Sequence, residues 1–504
     1  FPYTTLFRSA VVKNGVSMAG EVKDDTRYDY EWITENYIVS FFGRLNWTGW
    51  NQVMLTATFR ADGASRFHKN NRWGYFPSVA LGWKIKETFT ALRENNAVSE
   101  LKLRLNYGIT GQQEIPSLGD YPYFATYYIS QDHAYYPVGG ESNVLLDENG
   151  NVVKDGDGLT MYYHYRPDAV NTELTWEKTT TYGAGIDYGF MNSRITGSLD
   201  YYYRVTDDLI NVVNVPAGAN FKNKVVSNIG SLFNQGVEFS INAVAIDHSR
   251  SKSKFKWDLS YNVTWNMNKI TKLNSGEDDS YYVPTGDIST GTGGTIQAHK
   301  VGYAASSFYV YKTEKGTDDA GNPIYYAVDL NQDGQVSGED RYIYKCPMAP
   351  VTMGFQTKFQ FYNFDLGISF RASIGNYVYN GVLAGTVYNV SPDNVYTNLN
   401  GGYFGLTRSA YETYWSGMKS DGMMQRVWNS ATGAYETGGS FSDWFLTDYF
   451  VENASFLRCD NITLGYTFDK PKIKARIYAT IQNPFVISGY KGLDPEIFGG
   501  IDNN

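Results

Sequence analysis

Between Met353 and Arg371 the chain reads MGFQTKFQFYNFDLGISFR, and its side chains alternate with a period of two. Met353, Phe355, Thr357, Phe359 and Phe361 share one side of an extended segment; Gly354, Gln356, Lys358 and Gln360 share the other. Past Tyr362 and Asn363 the alternation resumes, with Phe364, Leu366, Ile368 and Phe370 set against Asp365, Gly367, Ser369 and Arg371. Successive side chains of a strand point to opposite faces, so the stretch predicts an antiparallel hairpin with one apolar and one polar face. One such hairpin fits a soluble sandwich, apolar face inward, as well as a membrane barrel, apolar face outward. The number, length and connection of its repeats decide between them.

The pattern recurs in about twelve segments, at 36–47, 50–62, 73–86, 100–111, 175–189, 193–207, 227–245, 254–269, 349–361, 364–376, 455–468 and 473–485. Most reach the ~9–11 residues that a tilted strand needs to cross a bilayer, against ~5–6 for an ordinary sheet strand. Their connections alternate in length. Short ones fall near 48–49, 87–99, 190–192, 246–253, 362–363 and 469–472, and long ones near 63–72, 112–174, 208–226, 270–348 and 377–454. Short turns at one end and long loops at the other are the arrangement of an outer-membrane barrel; a sandwich or propeller has no reason to keep that parity. The chain is 16% aromatic, and Trp47, Trp50, Trp73, Trp83, Trp176, Tyr188 and Trp265 lie near strand ends, as an interfacial girdle would. The expected fold is therefore all-β, a transmembrane antiparallel β-barrel wall. Phe355, Phe359, Phe364, Leu366, Ile368 and Phe370 should face lipid, and Gln356, Lys358, Gln360 and Arg371 the lumen.

Other functional classes find little support. A net charge of -9 with no basic cluster argues against nucleic acid as a partner. No run approaches the ~18 apolar residues of a spanning helix. Cys346 and Cys459, the 2 cysteines, are far apart and indicate no disulfide scaffold. The histidines His68, His133, His164, His248 and His299 are scattered without metal spacing, and the GTGGT string at 291–295 lacks the strand-to-helix context of a phosphate loop. Asp207–Asp208 and Asp278–Asp279 read as solvated loop charges rather than glycosidase acids. No catalytic residue or catalytic cofactor is expected, and no substrate-contacting residue can be assigned. Tyr121, Tyr123, Tyr127, Tyr128, Tyr135, Tyr136, Tyr162, Tyr163 and Tyr165 could stack on sugar rings or pack the loops on one another.

One chemical motif stands out. Asp329, Asn331, Asp333, Gly334, Gln335 and Asp340 place oxygen donors at positions 1, 3 and 5, glycine at 6, a carbonyl donor at 7 and a carboxylate at 12, the spacing of a calcium loop. Asp340 stands where an EF-hand carries the longer Glu. The competing reading is a polar Asx-rich turn without metal. The expectation is a structural calcium ion ordering the 270–348 loop.

Several strings resemble the SusC/RagA-type TonB-dependent outer-membrane transporters: TATFRADGASRF and NRWGYFPSVALGWKI within 56–85, LKLRLNYGITGQQ (101–113), LTWEKTTTYGAGIDYGF (174–190), NIGSLFNQGVEFSIN (228–242), DLNQDGQVSGEDR (329–341) and QNPFVISGYKGLDPEI (482–497). The resemblance implies a 22-stranded barrel with a plugged lumen, of which residues 10–504 would supply strands ten to twenty-one, the plug and TonB-contacting box lying elsewhere. Phe1–Ser9 (FPYTTLFRS) reads as a sequencing-adapter artefact and is set aside. The resemblance further implies TonB-driven import of a bulky nutrient, usually an oligosaccharide, with a SusD-like lipoprotein as partner. A passive porin, and less readily a barrel enzyme, remain as alternatives. Such a wall, by itself, should be an open sheet whose first and last strands are not paired to each other.

Overall fold

The computed structural model describes residues 36–114, 170–214, 224–248, 254–273, 281–288, 294–317, 323–384, 423–470 and 473–496, with short pieces inside 11–30 and 122–167. Phe1–Ser9, His133, His164, Asp278, Asp279 and Tyr121 lie outside the described residues, as do the side chains of Tyr127, Tyr128, Tyr135, Tyr136, Tyr163 and Tyr165.

A single sheet of 12 strands dominates. In chain order they are β1 (Ile38–Gly49), β2 (Val53–Ala64), β3 (Trp73–Lys84), β4 (Val98–Gln112), β5 (Glu177–Phe190), β6 (Ile195–Asp207), β7 (Ser231–His248), β8 (Phe255–Lys272), β9 (Val351–Phe361), β10 (Phe364–Ile374), β11 (Phe456–Lys470) and β12 (Ile473–Ser488). Each pairs antiparallel with the strand before and after it, a pure up-and-down meander. β1 and β12 each have one neighbour in this sheet and are not paired to each other. The sheet is thus an open wall, as expected.

The β9–β10 hairpin has the anticipated register. Phe355 sits opposite Phe370, Phe359 opposite Leu366 and Phe361 opposite Phe364, while Gln356 meets Ser369 and Lys358 meets Gly367. Alternation therefore carries straight across the pair, and one face is a continuous apolar surface. That face is not folded into a dry interior: Phe355 keeps 37% of its surface, and Phe361, Phe364, Leu199 and Leu464 are exposed as well. A soluble sandwich would bury these residues. Two polar groups on this face are satisfied within it: the Trp257 indole donates to Thr357 Oγ1 at 2.9 Å, and the Tyr188 hydroxyl reaches over Gly197 to the Ser240 carbonyl at 2.9 Å.

Short turns close one end. Between β1 and β2, Trp50 and Asn51 both adopt positive φ (52° and 56°), and the Gln52 amide returns to the Gly49 carbonyl at 3.0 Å, a two-residue turn whose twist matches the strands. The β3–β4 connection folds into two single-turn helices, Ile85–Thr88 and Thr90–Arg93. Long connections gather at the other end, and the buried core lies there instead of within the wall. One cluster joins Phe308, Val310, Tyr311, Met423, Phe441, Phe445 and Phe450; a smaller one joins Ala64, Phe67, Phe76, Leu174, Trp176 and Val226.

Trp176 corrects the girdle expectation. It is buried between Phe67 and Phe76, each with ring centroid 5.3 Å away, and its indole donates to the Arg72 carbonyl at 3.0 Å. A tryptophan near a strand end can serve loop packing as readily as an interface, and alternation cannot tell which. Trp47, Trp50, Trp73 and Trp265 are exposed, as a girdle requires.

Candidate functional site

The polar face of the wall and the loops above it hold the clusters of hydrogen-bonding and charged side chains. On the wall, charges are neutralised across intervening strands. Arg104 on β4 donates from Nε to Asp187 on β5 at 2.9 Å and from its terminal nitrogen to Asp200 on β6 at 2.9 Å. To reach β6 it must cross β5, and it does so at Gly185, where an added Cβ would run into the Asp200 carboxylate and sit 3.1 Å from the Arg104 guanidinium. The same device recurs on the last strands. Arg476 on β12 reaches Asp365 on β10 (2.6 Å) across Gly465 of β11, where a Cβ would lie 2.6 Å from the carboxylate. Tyr202 likewise passes over Gly236 to Asn266 at 2.8 Å. Between the charged pairs runs a ladder of small neutral groups, Ser198 with Ser240 (3.0 Å) and Ser260 with Asn242 (2.7 Å). The lumenal face is thus rich in hydrogen-bonding groups, its strongest charges paired.

Above the wall, two long connections merge. Tyr326–Val328 from the β8–β9 connection pairs in parallel with Met424–Arg426 from the β10–β11 connection. A four-stranded sheet is built from both: Thr313–Thr317, Pro323–Val328, Met423–Asn429 and Ala434–Phe441. The half-buried Asp448 carboxylate of one connection accepts from the Thr313 amide (3.0 Å), the Thr313 hydroxyl (2.5 Å) and the Tyr342 hydroxyl (2.7 Å) of the other. Burial raises the Asp448 carboxyl above the usual carboxylate range, against the lowering effect of these hydrogen bonds. The Tyr342 phenol is pushed up by burial and by that carboxylate. The two connections therefore form one cap with a shared core.

The calcium-loop residues sit in this cap. Asp329 and Asp340 are both 0% exposed. Asp329 accepts from the amides of Gln332 (2.7 Å), Gly334 (2.9 Å) and Trp428 (3.0 Å), the last from the other connection. Asp340 accepts from the amides of Leu330 (2.7 Å), Asn331 (3.1 Å) and Ser337 (2.7 Å). Asn331 and Asp333 are exposed and satisfy one another and the Asp333 and Gln335 amides. The sequence reading brings Asp329, Asn331, Asp333, Gln335 and Asp340 into one short loop, and so does the structure. By donor type, Asp329, Asn331, Asp333 and Gln335 suit a hard cation. Among the described residues, however, no three acidic, His or Cys side chains converge closely enough to hold an ion unaided. The loop's shape is carried by amide-to-carboxylate hydrogen bonds.

Residues 3–483 match the family described as TonB dependent receptor-like, beta-barrel. The chain is 46% identical over 493 residues to the TonB-dependent receptor SusC of Bacteroides thetaiotaomicron, covering 96% of this chain and 43% of the relative. It is 29% identical over 499 residues to TonB-dependent receptor P3 of Formosa agariphila, again covering 43% of the relative. The chain thus spans less than half the length of these relatives. Among solved structures, the RagAB peptide importer in its open-open state superposes with a TM-score of 0.68 at 23% identity, covering 96% of this chain and 47% of that one, which shows a shared fold. A lipid-facing apolar surface, a paired-charge lumenal face, long connections gathered at one end of the wall and these likenesses together make the chain an outer-membrane β-barrel wall belonging to the TonB-dependent receptor family, of the SusC/RagA type.

Proposed function

We propose that the outer-membrane protein carrying this wall imports a bulky nutrient, an oligosaccharide or related glycan, together with a SusD-like surface lipoprotein, and is energised by the TonB system acting on a lumenal plug. The observation that carries this reading is the 46% identity to SusC along 96% of the chain. The neutral hydroxyl and amide ladder of the lumen supports it, since sugar hydroxyls are matched by such groups. The fused cap supports it too, offering a partner one firm surface in place of separate loops. We also propose that the Asp329–Asp340 loop takes calcium as a structural ion.

The test is uptake of labelled oligosaccharides by cells expressing the full-length protein with its neighbouring lipoprotein, with and without a protonophore. Uptake should stop when the proton-motive force collapses, and the lipoprotein should co-purify. Uptake that survives collapse would make the protein a passive porin. Transport of peptides but not glycans would keep the transporter and change its cargo.

A further inference from the structure

Gly489–Glu496, reading GYKGLDPE, follows β12 and turns back onto the lumenal face. Arg371 of β10 and Arg458 of β11 are direct cross-strand partners there. Two guanidinium groups side by side repel, and three carboxylates answer them. Arg371 Nε is 3.1 Å from Asp460 and its terminal nitrogen 2.8 Å from Glu496. The Arg458 terminal nitrogen lies 2.5 Å from Asp494, and its Nε is 2.5 Å from Glu496, within ion-pair range though off the line of the N–H bond. Asp460 is available because the register shifts there against both β10 and β12; a bulge re-aims one residue out of the regular alternation. The Arg458 side chain is only 10% exposed and Pro495 is buried between the two acids.

The near end of the same stretch is tied to the root of the cap. The Lys491 amide donates to Glu452 at 3.1 Å, and the other Glu452 oxygen accepts from Asn380 at 3.0 Å. The Asn380 amide in turn donates to the carbonyl of Phe450, in the cap core, at 2.7 Å. Tyr490 packs beside Glu452, its phenol pushed up to about 12 by burial and that carboxylate.

We propose that residues 489–496 are a strap joining the cap root to the lumenal wall, locked by Arg371, Arg458, Asp460, Asp494 and Glu496, so that displacement of the cap is transmitted to the outer mouth of the lumen. The lock also sets local charge. Among the five locked residues, the two arginines and Asp460 alone leave one net positive charge, and Asp494 and Glu496 make it negative by one. The inference rests on the wall and the cap and is independent of the cargo and of TonB coupling.

The test is limited trypsin digestion of the full-length protein in outer membranes, with cleavage after the exposed Lys491 quantified by mass spectrometry and the heat-modifiable gel shift confirming an intact wall. Asp494→Asn, which leaves the wall's own residues untouched, and Arg458→Gln should each raise cleavage about tenfold, the equivalent of one lost charge-assisted contact. Phe450→Ala, which loosens the cap root and leaves the ion cluster intact, should raise it as well. Unchanged cleavage in Asp494→Asn would overturn the lock. Increased cleavage in Asp494→Asn but not in Phe450→Ala would overturn the coupling to the cap.

Discussion

Phe355→Arg, compared with Phe359→Arg, measures where the membrane sits on this wall. Strand β9 has 11 residues and ends at the short Tyr362–Asn363 turn. A tilted strand climbs about 2.5 Å of membrane depth per residue, from a rise of about 3.4 Å and a tilt of about 40°. Phe359, two residues from Phe361, then lies about 5 Å from the strand end, and Phe355, six residues away, about 15 Å. The apolar band of such barrels is about 25 Å tall, so Phe355 is near its middle and Phe359 near the periplasmic interface. Each loses one aromatic partner on substitution: Phe370 at 6.2 Å for Phe355, Trp257 at 5.5 Å for Phe359. Those losses cancel to first order. What remains is depth: an arginine costs ~2–4 kcal/mol at the midplane and ~0–1 near an interface, a difference of about 2–3 kcal/mol. Urea unfolding of the full-length barrel in lipid vesicles, followed by heat-modifiable migration, reads this difference directly. Gln356→Arg, adjacent but on the lumenal face, should cost least of the three. If Phe355→Arg is no worse than Phe359→Arg, or Gln356→Arg is the most damaging, the assignment of faces and depth is wrong.

Three other outcomes follow from the geometry. Gly185→Ala should lower the unfolding free energy, read from urea titration, by about 1–3 kcal/mol through overpacking, while Gly367→Ala, whose Cβ would meet nothing within 4 Å, should be near neutral; equal effects would remove the crossing role given to Gly185. Because burial raises the folded-state pKa of Asp448 above its ordinary value, its contribution to cap stability is fully present below the unfolded pKa and is lost as pH rises through the folded one. Cap unfolding followed by Trp444 fluorescence should therefore show stability falling with rising pH by more in the native chain than in Asp448→Asn, and parallel profiles would refute the assignment. Asp329→Ala strands three amide donors and should loosen the cap with or without calcium, at about 1–3 kcal/mol per unsatisfied group. Asp333→Ala should weaken proteolytic protection mainly when calcium is present. If calcium leaves proteolysis of the native loop unchanged, the loop is an Asx scaffold without an ion.

The wall was legible because its signal is long and local. Eleven or more residues of strict alternation in β8, β9 and β10 leave no helical alternative, and the structure places β9 at Val351–Phe361 and β10 at Phe364–Ile374, within two residues of where alternation puts them. What escaped notice depends on partners far apart in the chain. Tyr326–Val328 is an unremarkable short apolar run until Met424–Arg426 pairs with it. The glycines at 185 and 465 look like weak points in their strands; only the register shows arginines passing over them. Asp340 reads in the sequence as a carboxylate at position 12; that it is buried and accepts from the Leu330, Asn331 and Ser337 amides depends on how the loop folds. The Trp176 misplacement has the same origin: nothing within a few residues of it names Phe67 as its neighbour.

The parallel pairing of Tyr326–Val328 with Met424–Arg426 makes the heritable module of the outer surface a pair of distant sequence blocks. Grafting the β8–β9 connection alone from a relative would expose Val310, Tyr311 and Ala327 to a foreign counterpart lacking Met423, Phe441 and Phe445 in matching places. Chimeras meant to exchange recognition between relatives should carry 281–348 and 423–454 together. Recombination breakpoints that separate the two blocks should be poorly tolerated, and compensating changes should arise in tandem across nearly a hundred residues of intervening chain.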